Sequence, residues 1–348
     1  MSSRRLSSHP ADTHPPNLIR SQAASKAAGE VLRREVDIIG AAIGIGAGDP
    51  RCEYGADAMR DWGFTERLAA LGCDAKWRAQ IYPHYGARQT EAQTIVPEFC
   101  ARLMQAVAAA RLRGALPLVL GGDHSCGIGT WSGVHRTVWQ RGPLGLIWID
   151  AHMDSHTPDT THSGALHGMP LAALLGYGDS RLVGLGGVQA KLAARHVCLV
   201  GVRSFEPGEA EFVDRLGVRV FFADEVKHRG LQAVLADALG IVKSGTVGYG
   251  VSIDLDAVDP QDAPGVGSPV SGGLRGDDLV AALGIVADDP GLLGLEIVEY
   301  NPFVDRDGTT RELVLRLAAA VLIAGAMPSV APVAPSLPFT PPEPRLAA

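Results

Sequence analysis

Short runs rich in Val, Ile and Leu recur along this chain, and the stretches between them are long enough to hold a helix. Val36–Ile45, Leu118–Leu120, Leu144–Asp150, Val197–Val202, Val218–Phe222, Val247–Leu255 and Leu292–Val298 read as strands. A parallel pair needs a long crossover, usually helical, whereas an antiparallel pair needs only a tight turn. The spacing therefore predicts an α/β chain, with one three-layer domain around a mainly parallel central sheet. The helix predicted over Ile95–Arg113 carries Ile95, Phe99, Leu103 and Val107 at helical spacing, and Pro97 fits only in its first turn. Further helices are predicted from the segment after Ser125 to about Gln140, and over Pro170–Leu175, Pro207–Leu216, Leu231–Gly240 and Asp277–Ala287. A last helix opens on Thr309-Thr310-Arg311-Glu312, a capping-box pattern.

The ends differ from this pattern. Residues 1–34 begin with a stretch rich in Ser, Pro, Arg and His and read as a flexible arm, 35–327 as the folded domain, and 328–348 as a Pro-rich extended tail. The N-terminus has no apolar core of a signal peptide, and the apolar run Leu313–Met327 is broken by Arg316. A formal charge of −7 with no basic run excludes nucleic acid and anionic membrane as partners. Five cysteines without C-x-x-C spacing predict reduced thiols and a cytoplasmic protein.

The chemistry gathers where the strands end. Asp150, His152 and Asp154 follow one apolar run, spaced by two so that an extended segment would turn all three to one side. Asp254 and Asp256 close another run with the same spacing, His124 follows a third and Glu299 a fourth. In open α/β sheets ligands bind beyond the carboxyl ends of the strands. Carboxylates crowded together there require a compensating cation. Two histidines and four aspartates, with no thiolate, suit Mn²⁺, with Ni²⁺ or Co²⁺ as alternatives. Six ligands exceed what one ion with an open position needs, but suffice for two ions sharing carboxylates. Glu299 adds negative charge, which favours a small cationic substrate such as a guanidinium.

Three segments carry a resemblance to the arginase/agmatinase ureohydrolases over roughly residues 36–326: Gly121-Gly122-Asp123-His124-Ser125, Asp150-Ala151-His152-Met153-Asp154, and Ser252-Ile253-Asp254-Leu255-Asp256-Ala257-Val258-Asp259-Pro260. The resemblance implies an arginase-like fold and hydrolysis of a guanidino group to urea and an amine. It implies that His124 and Asp154 bind one metal ion, that His152 and Asp256 bind a second, and that Asp150 and Asp254 bridge them. His167 matches the family's proton-shuttle histidine, and Glu299 the carboxylate that holds the guanidinium. The resemblance implies that an activated water attacks the guanidinium carbon and that His167, near its ordinary pKa, supplies or relays the proton to the departing amine. Asp259 is expected to cap the turn before Pro260 instead of binding metal. Family members are commonly trimers or hexamers, so a homo-oligomer is expected.

The loop between Asp154 and His167 is closer to arginase than to agmatinase. His156, Thr161, Ser163, Glu206, Glu209 and Ser268, with Glu299, are the expected substrate-binding residues. Arginases usually have Asn at the positions of His156 and Ala165, and Asp at that of Glu206. Each lost hydrogen bond to a charged group weakens recognition by roughly 1.5–3 kcal/mol. L-Arginine is the default substrate. The rival is a guanidine without an amino-acid end: a guanidino acid, agmatine, guanidine or a biguanide such as metformin, with nickel as the metal. A reading of another class, a non-catalytic subunit supporting an active paralogue, is opposed by the six intact ligands, His167 and Glu299.

Overall fold

Among the described residues, eight strands form one sheet, and every pairing in it is parallel. They are β1 (Val36–Ala41), β2 (Ala75–Ile81), β3 (Leu116–Gly121), β4 (Leu144–Ile149), β5 (Leu192–Val202), β6 (Arg219–Phe222), β7 (Tyr249–Asp254) and β8 (Leu292–Val298). Their spatial order is β2-β1-β3-β8-β7-β4-β5-β6. The computed structural model describes residues 34–84, 91–187 and 190–325. The expected arm, apart from Arg34, and the tail over 328–348 lie outside the described residues. Among the described residues, no helix is long and apolar enough to cross a membrane.

Strands β1, β3, β4, β7 and β8 are buried along their whole length, which explains why they read as continuous apolar runs. Successive side chains enter opposite cores. Ile38, Ile147, Ile149, Val251 and Ile253 pack on one face of the sheet, and Ile39, Leu146 and Trp148 on the other. Helices cover both faces, as the three-layer reading anticipated. All five cysteines are free and buried in these layers.

Several local expectations need correction. The edge strand β2, Ala-Lys-Trp-Arg-Ala-Gln-Ile, was not foreseen, because an edge half covered by protein mixes charged and apolar residues. The short helices Gly55–Asp61, Phe64–Ala70 and Ala223–Arg229 were also missed. The long helix begins at Ala92, so Pro97 is its sixth residue and not part of its first turn. One intrahelical hydrogen bond is lost there. The buried face formed by Ile95, Val96, Phe99, Cys100, Leu103, Met104 and Val107 offsets that loss.

The last helix, Thr309–Leu322, has no capping box. The Asp305 carboxylate accepts the N–H groups of Thr310 and Arg311, both at 3.0 Å, from outside the expected motif. The capping box instead opens Pro207–Leu216, between Glu206 and Glu209.

Packing leaves no room for a further carbon where β7 meets the helix Gly127–Val138. A Cβ placed on Gly250 would lie 1.9 Å from Cζ3 of the fully buried Trp131. Gly250→Ala is therefore expected to destabilise the fold by about 1–3 kcal/mol through overpacking. A chemical denaturation midpoint equal to that of the unsubstituted chain would show that Trp131 repacks freely.

Candidate metal centre

The strands that end in acidic residues are neighbours in the sheet, in the order β3-β8-β7-β4. Their carboxyl ends deliver His124, Glu299, Asp254 with Asp256, and Asp150 with His152 and Asp154 to one rim. The side chains do not converge by simple strand alternation. β4 stops at Ile149 and β7 at Asp254. The backbone then bends, and Asp154 takes a left-handed φ of 49°. Asp256 lies in a short 3₁₀ turn, where Asp254 Oδ1 accepts its N–H at 2.9 Å.

His124 sits at the middle of the first grouping. Its Nδ1 is 3.2 Å from Asp150 Oδ2, 3.0 Å from Asp154 Oδ2 and 3.1 Å from Asp254 Oδ2. No hydrogen bond forms at Nδ1, and Asp154 Oδ2 is likewise buried without a partner. Its Nε2 lies 3.1 Å from Ser252 Oγ, so with the proton on that side Nδ1 offers a lone pair. Donors about 2.1 Å from one ion, at right angles to each other, stand about 3.0 Å apart. The observed spacing fits that arrangement.

The second grouping brings His152 Nδ1 to 3.0 Å from Asp256 Oδ2 and 3.6 Å from Asp150 Oδ1. Asp150 thus belongs to both groupings, as a carboxylate shared between two ions must. Asp254 falls only in the grouping with His124 and Asp150.

The electrostatics describe a cluster short of positive charge. Burial and mutual repulsion push Asp154 up to about 7, and raise Asp254 well above and Asp256 above the usual carboxylate range. Burial opposes charge on both histidines, yet the surrounding carboxylates outweigh it. His124 is held well above its ordinary value, and His152 is pushed up to about 12. For Asp150 burial is outweighed by the two imidazoles, and its pKa is lowered. Bound cations would answer the same demand.

Beside this cluster, His167 Nδ1 lies 3.1 Å from Glu299 Oε1, which also accepts the His124 N–H at 2.9 Å. Burial lowers the imidazole's pKa, but Glu299 more than compensates, and His167 is pushed up to about 9. It is therefore more basic than the near-ordinary value expected from sequence. Glu299 is itself held low by His167, and its φ of 66° is left-handed.

The remaining expected residues lie on the loops around the rim. His156 Nε2 pairs with Glu206 Oε2 and lies 3.4 Å from Glu209 Oε2, while its Nδ1 is 3.1 Å from Thr160 Oγ1. Glu209 accepts the Ser155 and Glu206 N–H groups, both at 3.1 Å. Thr161 and Ser163 shape the loop's own turn, accepting the N–H groups of Gly164 and Ala165. Ser268 follows Gly267, whose Cβ position lies 3.8 Å from Glu299 Oε2. Asp259 caps its turn through the N–H groups of Gln261, Gly272 and Gly273.

Sequence reading missed the residues that hold these groups in place. Trp148 stacks on His124, with centroids 4.1 Å apart, and donates to Asp150 Oδ2 at 2.8 Å. Asp123 Oδ2 accepts the Gly46 N–H at 2.8 Å, and the Gly46 carbonyl accepts the His167 N–H at 3.1 Å. Ser252 leads from His124 to Glu296. The i, i+2 spacing of Trp148 with Asp150 and of Ser252 with Asp254 was an available signal, as was a glutamate inside the apolar run of β8.

Residues 34–324 match the model of the arginase family. The chain is 37% identical over 295 residues to an arginase of Brevibacillus brevis, covering 83% of this chain and 98% of that protein. It superposes on the crystal structure of arginase from Bacillus caldovelox with a TM-score of 0.78 at 36% identity, covering 84% of this chain and all of the other. For arginase from Bacillus subtilis the TM-score is 0.77 at 33% identity, with 83% and 99% covered. With this fold and these relatives, the chain belongs to the arginase family.

Proposed function

We propose that this ureohydrolase hydrolyses a guanidino group to urea and an amine at a centre of two divalent cations. The observation that carries the reading is the pair of buried atoms without hydrogen-bond partners, His124 Nδ1 and Asp154 Oδ2, among carboxylates that no Lys or Arg joins in the described ion pairs. His124 and Asp154 would hold one ion, His152 and Asp256 the other, with Asp150 and Asp254 between them. Mn²⁺ is the default, and Ni²⁺ or Co²⁺ suit the same donors. When bound, the ions supply Lewis-acid polarisation and bring the pKa of water toward neutrality.

The chain's own residues account for the other requirements. Glu299 is a buried carboxylate beside the cluster, and a carboxylate complements a guanidinium in both charge and shape. The departing amine must leave with a proton. His167, pushed up to about 9, carries one at neutral pH and shares it with Glu299 Oε1 until transfer.

L-Arginine is the default substrate, supported by the relatives that bear the name arginase. A second reading, a guanidine lacking the amino-acid end, is favoured by the self-pairing of His156 with Glu206, Glu209 and Thr160. Those groups satisfy one another and leave little to bind a zwitterionic substrate end.

Asp150→Ala or Asp254→Ala is expected to abolish urea release and metal uptake together, and unchanged turnover in either would remove the bridging assignment. His167→Ala should lower kcat by about 10²–10⁴-fold while the ions still bind; wild-type kcat would exclude it as the proton donor. A urea-release panel of arginine, agmatine, guanidinobutyrate, guanidine and metformin, run with Mn²⁺- and Ni²⁺-loaded enzyme, ranks the substrates. If His156 blocks the amino-acid end, His156→Asn should raise kcat/KM for arginine about 10-fold or more relative to guanidine. A fall for arginine would instead assign His156 to binding it.

A further inference from the structure

The amino ends of the strands, opposite the aspartate–histidine rim, carry the reverse imbalance of charge. Arg34 stands two residues before β1, Arg111 in the last turn of the helix that leads into β3, and Arg141 between the helix Gly127–Val138 and β4. Backbone contacts gather the three positions. The Glu35 carbonyl accepts the Leu116 N–H at 2.9 Å, which sets Arg34 beside the turn that Arg111 enters, where the Arg111 carbonyl accepts the Gly114 N–H at 3.0 Å. The two helices run side by side in one direction. Cβ positions at Gly129 and Gly133 would lie 3.0 Å from Leu103 Cβ and 2.7 Å from Val107 Cβ, so Arg141 follows on beside the helix end that carries Arg111.

None of these three side chains joins an ion pair among the described residues. Arg111 Nε is buried and has no hydrogen-bond partner. Burial, and then the charges of Arg34 and Arg141, hold the Arg111 pKa down at about 10. Acids at this end of the sheet are spent on other cations. Glu35 pairs with Lys76 and Arg78, both at 2.7 Å, and Asp37 with Arg78 at 2.8 Å and Arg113 at 2.5 Å. Asp289 pairs with Lys243 at 2.6 Å. Like charges repel, and a buried N–H without an acceptor is costly, so the three arginines weaken the fold unless an anion joins them.

We infer that Arg34, Arg111 and Arg141 form a second binding site, at the sheet end opposite the aspartate–histidine rim, that takes a phosphate group. Guanidinium forks match phosphate oxygens in shape as well as charge. A phosphate group offers several acceptor oxygens and a charge of about −1.5 to −2 to the three cations, whereas one carboxylate would leave most of their charge unanswered. Arg141 is exposed while Arg34 and Arg111 are half-buried, so an anion arriving from solvent meets Arg141 first and the buried Arg111 Nε last. The same chemistry accepts the free ion or a phosphate ester. The inference does not depend on the two-cation reading above.

The test follows binding of inorganic phosphate and of glycerol phosphate to the full chain by isothermal titration calorimetry, at fixed ionic strength with chloride as the balancing anion. Saturable binding is expected, and Arg111→Gln and Arg141→Gln should each weaken it about 10-fold or more. Because Arg111→Gln removes repulsion, its denaturation midpoint without phosphate should not fall below that of the unsubstituted chain. Tighter glycerol phosphate supports the site with an ester as its ligand, and tighter inorganic phosphate supports it with the free ion. Absence of saturable binding overturns the site. Binding that survives both substitutions unchanged places phosphate elsewhere, the metal ligands included, and also overturns it. Arg141→Gln, at an exposed position, decides the matter if Arg111→Gln fails to fold: unchanged phosphate affinity in that variant reduces the arginines to a structural role and overturns the site.

Discussion

Four aspartates converge within hydrogen-bond distance of two histidines at the ends of adjacent strands, and nearly all of this charge is buried. In water such a cluster would disperse. Here the sheet holds it together, since β4, β7, β8 and β3 cannot separate without breaking the ladders between them. The raised pKa values of Asp154, Asp254 and Asp256 express the repulsion, and those of His124 and His152 express the unmet attraction. Divalent cations would resolve both.

Backbone conformation contributes to that restraint. Of the three described non-glycine residues with left-handed φ, Asp154 and Glu299 belong to the site. Such conformations persist only where neighbouring contacts over-determine them. Leu171 N–H donates to the Asp154 carbonyl at 2.9 Å, and the Glu299 N–H donates to Gly122 O at 2.8 Å. The second bond ties β8 to the loop that carries His124. Asp123 and Gly46 fasten His167 in the same way. The His167–Glu299 pair and the neighbouring cluster of aspartates and histidines therefore share one set of supports, and a shift in one loop would be felt in the other.

Residue spacing carried much of this. The strand runs were recognisable because β1, β3, β4, β7 and β8 are buried on both faces and contain little besides apolar residues. β2 was not, because an exposed edge tolerates Lys76 and Arg78. The start of the helix around Pro97 was misplaced because packing outweighed a local rule. The cap at Thr309 was misassigned because Asp305, four residues upstream, reaches the same N–H groups. The i, i+2 spacing at Asp150–Asp154 and Asp254–Asp256 brought the right residues together for a partly wrong reason, since bends and not extended strands complete the convergence.

The sequence by itself determined the kinds of donor available, the strand ends that carry them and the family to which the chain belongs, because those depend on residue type and short spacing. Which strands lie side by side was decided only in three dimensions. β7 and β8 insert between β3 and β4, so residues 124, 150, 254 and 299 meet although more than a hundred positions separate the outer two pairs. The pairing of His156 with Glu206 and the line from Glu296 through Ser252 to His124 likewise come from distant segments. Hydrogen bonds at that sequence separation have no local pattern, and only the packed sheet brings their partners within reach.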